Sequence, residues 1–538
     1  MSNFIPHNGE YFPHNSLSIV EAHFRKGKPP VHDRASRLNW KHTGGDNDII
    51  GYTVIIPAQD SPDWETYLEV MEAVGLYTGL RDCRNQRFEQ FSYPQRLYVL
   101  SDMLKLHVLR ECGDIKKYLQ LDEQMNTLPL PNNVDGAVVH YARQSNLHDK
   151  LIKIMMTWLE QAMQDIRPPH TVSTREKVVI SMLIWGDKYV QKMLGSSFKS
   201  MLADGNLPTL AKEKYIIIYL QTDAASKEII ENAPETKKLK EHGVHFEYVL
   251  FPDDLTPHLK GEMAIYWMVG AGATLGIHYA KKAGAAFHHS YPDIIYSDKY
   301  FSELLRLSRL HNSILGPAHR ADESIFLPAL KPYEDEDKIS IPSADLIAVH
   351  LNNLHMSTYP CFVNNRPQFW RYPQSHVMIW ESENEVHFNC PHLNALWLSP
   401  SVLKHVPDRY FMSLDSELDL ICKGEDYYIP QAEDELYLVE FSEQSRYPVT
   451  DAYADARTCG NFMWGTITHR DLFKFFARGM KVKINREIRK VPPNVIGYVQ
   501  ISAEKTYLFN AMMDTDHYAG VQLARPRSHE GRIFAYVG

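Results

Sequence analysis

The chain's 538 residues exceed one ordinary hydrophobic core, and roughly three or four folding units are expected. A hydrophobic fraction of 44% with 11% aromatic residues excludes a disordered polymer. Lys and Arg number 57 against 66 Asp and Glu, and the resulting net charge of −9 argues against nucleic acid as a partner.

The most basic stretch, KVKINREIRK at 481–490, reads as a solvated face. Six cysteines (Cys83, Cys112, Cys361, Cys390, Cys422, Cys459) lie far apart with no CxxC pair. That pattern is neither a zinc site nor a disulfide framework, and it suits a reducing compartment. The start, MSNFIPHNGEYFPHNS, lacks the charged and apolar regions of a signal peptide. No apolar run nears the ~20 residues that a bilayer span requires. A cytoplasmic protein without a membrane span is expected.

Residues 1–46, rich in Pro, His, Asn and charge, read as an extended arm, and DIIGYTVIIPA (48–58) as a strand. DWETYLEVMEAVGLYTGL, YPQRLYVLSDMLKLHVLREC and LHDKLIKIMMTWLEQAMQDI carry apolar residues at helical spacing. They predict a helical domain over 1–172, suited to interaction or homo-oligomerisation. RPPHTVSTRE (167–176), with two prolines, marks its end.

From residue 177 the pattern changes. KVVISMLIWG and KYIIIYLQTD are β-branched runs of the kind buried on both faces of a sheet, and VHFEYVLFPDD reads as a third strand. Helical stretches DKYVQKMLGSSFKSML, AASKEIIENAPETKKLKEHG and LKGEMAIYWMVGAGATLGIHYAKKAG alternate with them. This alternation predicts crossover connections and a mostly parallel, doubly wound sheet, with ligands beyond the carboxyl ends of its strands. The residues to watch are therefore Trp185-Gly186, Thr222-Asp223, Asp253-Asp254 and Ser290–Asp293. Beyond residue 320 the regularity fades into a mixed α+β region over 321–538.

Three segments carry a family resemblance. VVISMLIWGDKYVQKMLGSSFKSMLADGN is a strand, a polar turn and a helix; IIIYLQTDAAS ends in an aspartate followed by small residues. GATLGIHYAKKAGAAFHHSYPDIIYSDKYFSELL is a small-residue helix leading to a third strand end. Together these resemble glycosyltransferases of the GT-A fold, the family-2-like group in particular, over about a quarter of the chain. The resemblance implies a GT-A-like, Rossmann-like donor domain at 173–320 that moves a sugar from a UDP- or GDP-sugar to a glycan, protein or other acceptor. It implies Trp185, Gly186, Tyr189, Asp223 and Gly276 as the nucleotide-sugar set. It also implies a divalent cation, Mn²⁺ or Mg²⁺, with Asp293, His289 and His355 as ligands.

The family's Asp-x-Asp is replaced here by Ser290-Tyr291-Pro292-Asp293. Asp293 could act alone with the phosphates and waters, helped by His288, His289 or Asp298. Otherwise positive side chains or helix N-termini could hold the diphosphate. A scaffold or carbohydrate-binding protein without turnover is the alternative. Each residue also has a plain structural reading. Asp223 suits a helix N-cap, Asp293 a turn cap, Trp185 a core residue and Gly186 a tight turn. His288 and His289, being successive in a strand, point to opposite faces.

Segment 345–400 crowds His350, His355, His376, His387 and His392 with Asn and Trp, and no zinc spacing is present. Such mixtures line carbohydrate grooves. A base for an inverting transfer would come from Glu381, Glu383 and Glu385 in WESENEVHF or from Asp415, Glu417 and Asp419 in LDSELDL. Alternation puts each triplet on one face if the segment is a strand. Glu381 and Asp415 are the expected catalytic residues.

Overall fold

The computed structural model describes residues 113–125 and 137–168, most of 174–443, residues 479–486 and four short strands elsewhere. The chain divides into two compact units, 1–160 with 514–538, and 161–513. In the first, strands Val20–Phe24, Val31–Asp33, Ile49–Ile55 and Arg532–Tyr536 form an antiparallel sheet. The strand expected at 48–58 is thus present, and it pairs with a segment from the other end of the sequence. Helices Ile115–Met125 and Ala137–Asp165 accompany it. The helices expected at 63–80 and 93–112 lie outside the described residues. The described part of this unit thus holds both strands and helices.

The second unit contains strands β1 (Lys177–Leu183), β2 (Tyr215–Thr222), β3 (Val244–Leu250), β4 (Ala286–Ser290), β5 (Ile294–Tyr296), β6 (Ser313–Gly316), β7 (His319–Asp322), β8 (Val377–Ser382), β9 (Glu385–Asn389), β10 (Asn394–Leu398), β11 (Leu438–Ser442) and β12 (Met480–Lys483). The main sheet has six strands in the order β3-β2-β1-β4-β10-β6. Its first four are parallel, while β10 runs antiparallel to both β4 and β6. The expected mixed α/β architecture with a mainly parallel sheet is present. All eight residues of β2 are buried, which explains its apolar run from Tyr215 to Leu220. Each large aliphatic side chain so buried contributes roughly 1.5–3 kcal/mol.

The helical run α1 follows β1, with α-helical Asp187–Lys192 and Lys199–Met201 joined through a π-helical turn at Met193–Phe198. Then come α2 (Leu207–Glu213), α3 (Ala224–Asn232), α4 (Pro234–Glu241), α5 (Glu262–Ala283), α6 (Tyr300–Ser308) and α7 (Glu323–Ala329). One face of the sheet packs Ile180, Met182, Ile218 and Leu220 with Phe198, Met201, Leu207 and Ile230 from the helices. Helix α5 lies against β1 and β4. A Cβ on its Gly276 would stand 2.1 Å from Ser181 Oγ and 2.9 Å from Phe287 Cε2, so only glycine allows this approach.

The unit runs past residue 320. Strand β10 inserts into the main sheet, and β11 joins β7 in parallel and β5 in antiparallel fashion to make a second, three-stranded sheet. Strands β8, β9 and β12 form a third. WESENEVHF is a hairpin rather than one strand: β8 ends at Ser382 and β9 starts at Glu385. Its glutamates therefore do not share one strand face. LDSELDL forms a 3₁₀ turn, Leu414–Ser416, and a short helix, Leu418–Ile421, instead of a strand.

Candidate functional site

Register brings the expected strand ends together. Leu183 lies opposite Gln221, and Met182 opposite Ser290. Adjacent strands are about 4.8 Å apart, so β1, β2 and β4 release Trp185, Asp223 and Asp293 at the same carboxyl edge. In the order β3-β2-β1-β4 the strand order reverses between β1 and β4, where open α/β sheets form their ligand crevice.

Three of the expected nucleotide-sugar residues form a rigid corner there. Gly186 has φ +76°, a conformation that favours glycine, and its N–H donates to Ser226 Oγ at 3.1 Å. Asp223 caps α3: its Oδ1 accepts from Ser226 N and its Oδ2 from Ser226 Oγ, both at 2.8 Å. The N-cap reading of Asp223 is therefore realised. Trp185 packs edge-on against Phe251, with ring centroids 6.1 Å apart. Tyr189 lies half-buried beneath Lys192, whose Nζ is 5.4 Å from its ring centre. Gly276 sits lower, in the α5–β1 seam beside Ser181, a place its packing role explains.

The Ser-Tyr-Pro-Asp turn is held on two sides. The Ser197 hydroxyl lies 2.8 Å from Pro292 O and 2.6 Å from Ile294 O, and it accepts from Ile294 N at 3.1 Å. Phe441 N donates to Asp293 O at 2.9 Å, which ties the turn to β11. The Asp293 carboxyl is buried and makes no ion pair among the described residues. Burial, reinforced by Glu440 and opposed by Lys192 and Arg320, pushes it up to about 7.

Near Asp293, the cations are paired with carboxylates. Arg320 donates Nε at 3.0 Å and Nη2 at 2.6 Å to Glu440 Oε1. Lys192 pairs with Glu323, and Lys188 with Glu443 at 2.6 Å. Lys192 Nζ also lies 5.8 Å from the Phe441 ring centre. Asp322 caps α7 through Ser324 N and Oγ at 3.0 and 2.8 Å. This cluster escaped sequence reading. Arg320 and Glu440 are 120 residues apart, and only the register of β7 with β11 makes them neighbours.

A second group borders the same edge beyond β4. Tyr291 donates to Asn394 Oδ1 at 3.0 Å, and its hydroxyl lies 3.4 Å from His289 Nδ1. Burial, with His288 adding to it and Asp415 opposing, holds His289 down at about 4. Burial raises Tyr291, and Asp415 is the strongest charge adding to it. Asp415, half-buried, is therefore within electrostatic reach of this pair. His288 turns the other way. Its Nδ1 lies 2.6 Å from Leu396 O, its ring packs on Phe301 at 5.3 Å, and burial holds it at about 4.

The expected metal ligands do not form one ligand group. His289 stands against Tyr291, His355 places Nε2 3.3 Å from Glu443 O, and Asp293 faces Lys192, Arg320 and Glu440. Among the described residues no three His, Cys, Asp or Glu side chains are grouped to hold a metal ion. Asp298 locks a loop instead, accepting from Lys299 N at 2.9 Å and Gly205 N at 3.3 Å. His350 Nδ1 lies 2.9 Å from Tyr437 OH, and His387 Nε2 3.1 Å from Glu385 Oε1. Glu417 is buried in an ion pair with Arg409 at 2.9 Å. The side chains of Glu381, Glu383, Asp419, His376 and His392 lie outside the described residues.

No protein-family model matches the chain, and no curated protein does.

Proposed function

We propose that the chain is a nucleotide-sugar-dependent glycosyltransferase with a GT-A-like donor domain. One observation carries the reading. The Gly186–Ser226–Asp223 corner, the Asp293 turn and the cations Lys192 and Arg320 meet at the switch point of a parallel sheet. A nucleotide sugar lying along this edge would place its base near Trp185 and Asp223 and its diphosphate toward Asp293.

In the transfer, the bond from the sugar's anomeric carbon to the diphosphate breaks, and a bond to the acceptor oxygen forms. The acceptor's proton goes to a carboxylate, and the electron pair of the broken bond leaves with the diphosphate. Asp415 lies within electrostatic reach of Tyr291 and His289, which supports its assignment as that carboxylate. The set expected to hold Mn²⁺ or Mg²⁺, Asp293, His289 and His355, is not gathered into one ligand group.

A thermal-shift series with UDP- and GDP-sugars, with and without Mn²⁺, tests the reading. A rise in melting temperature with one donor supports it; no shift with any donor would sink it. Carbohydrate binding without turnover is favoured by one observation: both Asp223 oxygens already bond Ser226. Donor hydrolysis separates the two readings.

A further inference from the structure

We propose that Lys192 and Arg320 form an anion subsite for a diphosphate, with Glu323 and Glu440 as resident counter-ions that incoming phosphates displace; the inference rests on the transferase reading. Position is the first argument. Lys192 lies on α1, the helical run that leaves β1 at the switch point. Arg320 lies on β7, paired with β11, whose Phe441 N–H holds the Asp293 carbonyl. Both cations act on the Asp293 carboxyl.

Burial is the second argument. The Lys192 and Glu323 side chains are 10% and 17% exposed, and those of Arg320 and Glu440 29% and 20%. A half-buried cation without a counter-charge is costly, so a ligand-free site of this kind needs a substitute anion from the protein. Glu323 and Glu440 are placed to be that substitute. A diphosphate offers the same charge-assisted acceptors with more oxygens, and a guanidinium fork suits phosphate as it suits carboxylate.

The third argument is that Lys192 keeps its place when its carboxylate leaves. Its Nζ lies 5.4 Å from the Tyr189 ring centre and 5.8 Å from that of Phe441, and both faces attract a cation. Three scattered metal candidates do not supply an equivalent charge. These two cations do, at the point where the transferase reading sets a donor's phosphates.

The test is calorimetric titration of the full chain with inorganic pyrophosphate in EDTA. Saturable binding is expected, weakened about tenfold or more by Lys192→Gln and by Arg320→Gln. Glu323→Gln removes the competitor and should tighten binding several-fold, a sign that loss of structure does not produce. No binding, binding unchanged in both cation variants, or weakening by Glu323→Gln overturns the proposal. Pyrophosphate binding with this pattern but no turnover of any nucleotide sugar leaves the subsite standing and removes the transferase reading. Turnover with unaltered KM in both cation variants does the reverse.

Discussion

Ser226 is bonded to Asp223 through both its backbone N–H and its hydroxyl, each at 2.8 Å, and the same hydroxyl accepts the Gly186 N–H at 3.1 Å. One serine thus couples the start of α3 to the left-handed turn that opens α1. Asp223→Ala removes the cap and is expected to lower unfolding free energy by about 1 kcal/mol. Ser226→Ala also frees the Gly186 N–H, so a larger loss is expected from it than from Asp223→Asn. Urea denaturation of the three variants checks the order. Equal stability of Asp223→Ala and the parent protein would show that the corner carries no strain-bearing bond.

Gly276 offers a test of packing against ligand binding. Its missing Cβ leaves room for Ser181, whose Cβ would otherwise be 2.6 Å away. Gly276→Ala is expected to destabilise by ~1–3 kcal/mol through overpacking, with or without nucleotide present. Adding Ser181→Gly should recover part of that loss. Destabilisation seen only in the nucleotide-bound protein would instead place Gly276 at the ligand.

Much of this half of the molecule was legible in sequence because burial on both faces leaves a simple signature. The run YIIIYLQT can be little other than an inner strand. What stayed hidden depends on pairing at long range. Strand β10 is only NALWL, and it enters the sheet beside a strand more than a hundred residues earlier, touching β4 at the single pair Leu398 and Phe287. The alternation in WESENEVHF suggests one strand, yet turn-forming Ser382 and Asn384 bend it into a hairpin. In LDSELDLI the apolar positions Leu414, Leu418 and Ile421 are buried at spacings of four and three, a helical rhythm masked by the alternating acids. Asp293 was visible as a strand-end aspartate; its partners, contributed by β7, α1 and β11, were not.

Asp293 should make stability fall with rising pH. Its carboxyl is pushed up to about 7 from an ordinary 3.8, chiefly by burial. The folded protein therefore holds this proton more tightly than the unfolded chain does. The contribution is complete below the ordinary value and is lost as pH rises through about 7. Asp293→Asn lacks the titration, so its stability relative to the parent should increase from pH 5 to about pH 8. A constant difference across that range would show that Asp293 is ionised throughout.

The buried histidines work in the opposite sense. His288, His289 and His350 are held near 4 by burial, below the ordinary 6.5. Each contributes stability that is present above the ordinary value and lost as pH falls toward 4. Urea midpoints should therefore drop as pH is lowered through this range, while the Asp293 contribution rises. His288→Phe keeps the ring contacts with Tyr296, Tyr300 and Phe301 but removes one titrating group. Its midpoint should fall less steeply with acid, even if loss of the Leu396 carbonyl bond lowers it at pH 7. An unchanged slope would mean that His288 gains no proton on unfolding.

Asp415 is where the acceptor side can be tested apart from the donor side. It acts on both His289 and Tyr291, while Lys192 and Arg320 are the cations that act on Asp293. As the base of the proposed transfer, Asp415→Asn should lower kcat by about 10²–10⁴-fold while leaving the donor's thermal shift in place. A loss of that shift would make Asp415 part of the donor site. Full turnover in the variant would move the base to a carboxylate elsewhere, with the hairpin residue Glu381 next to be substituted.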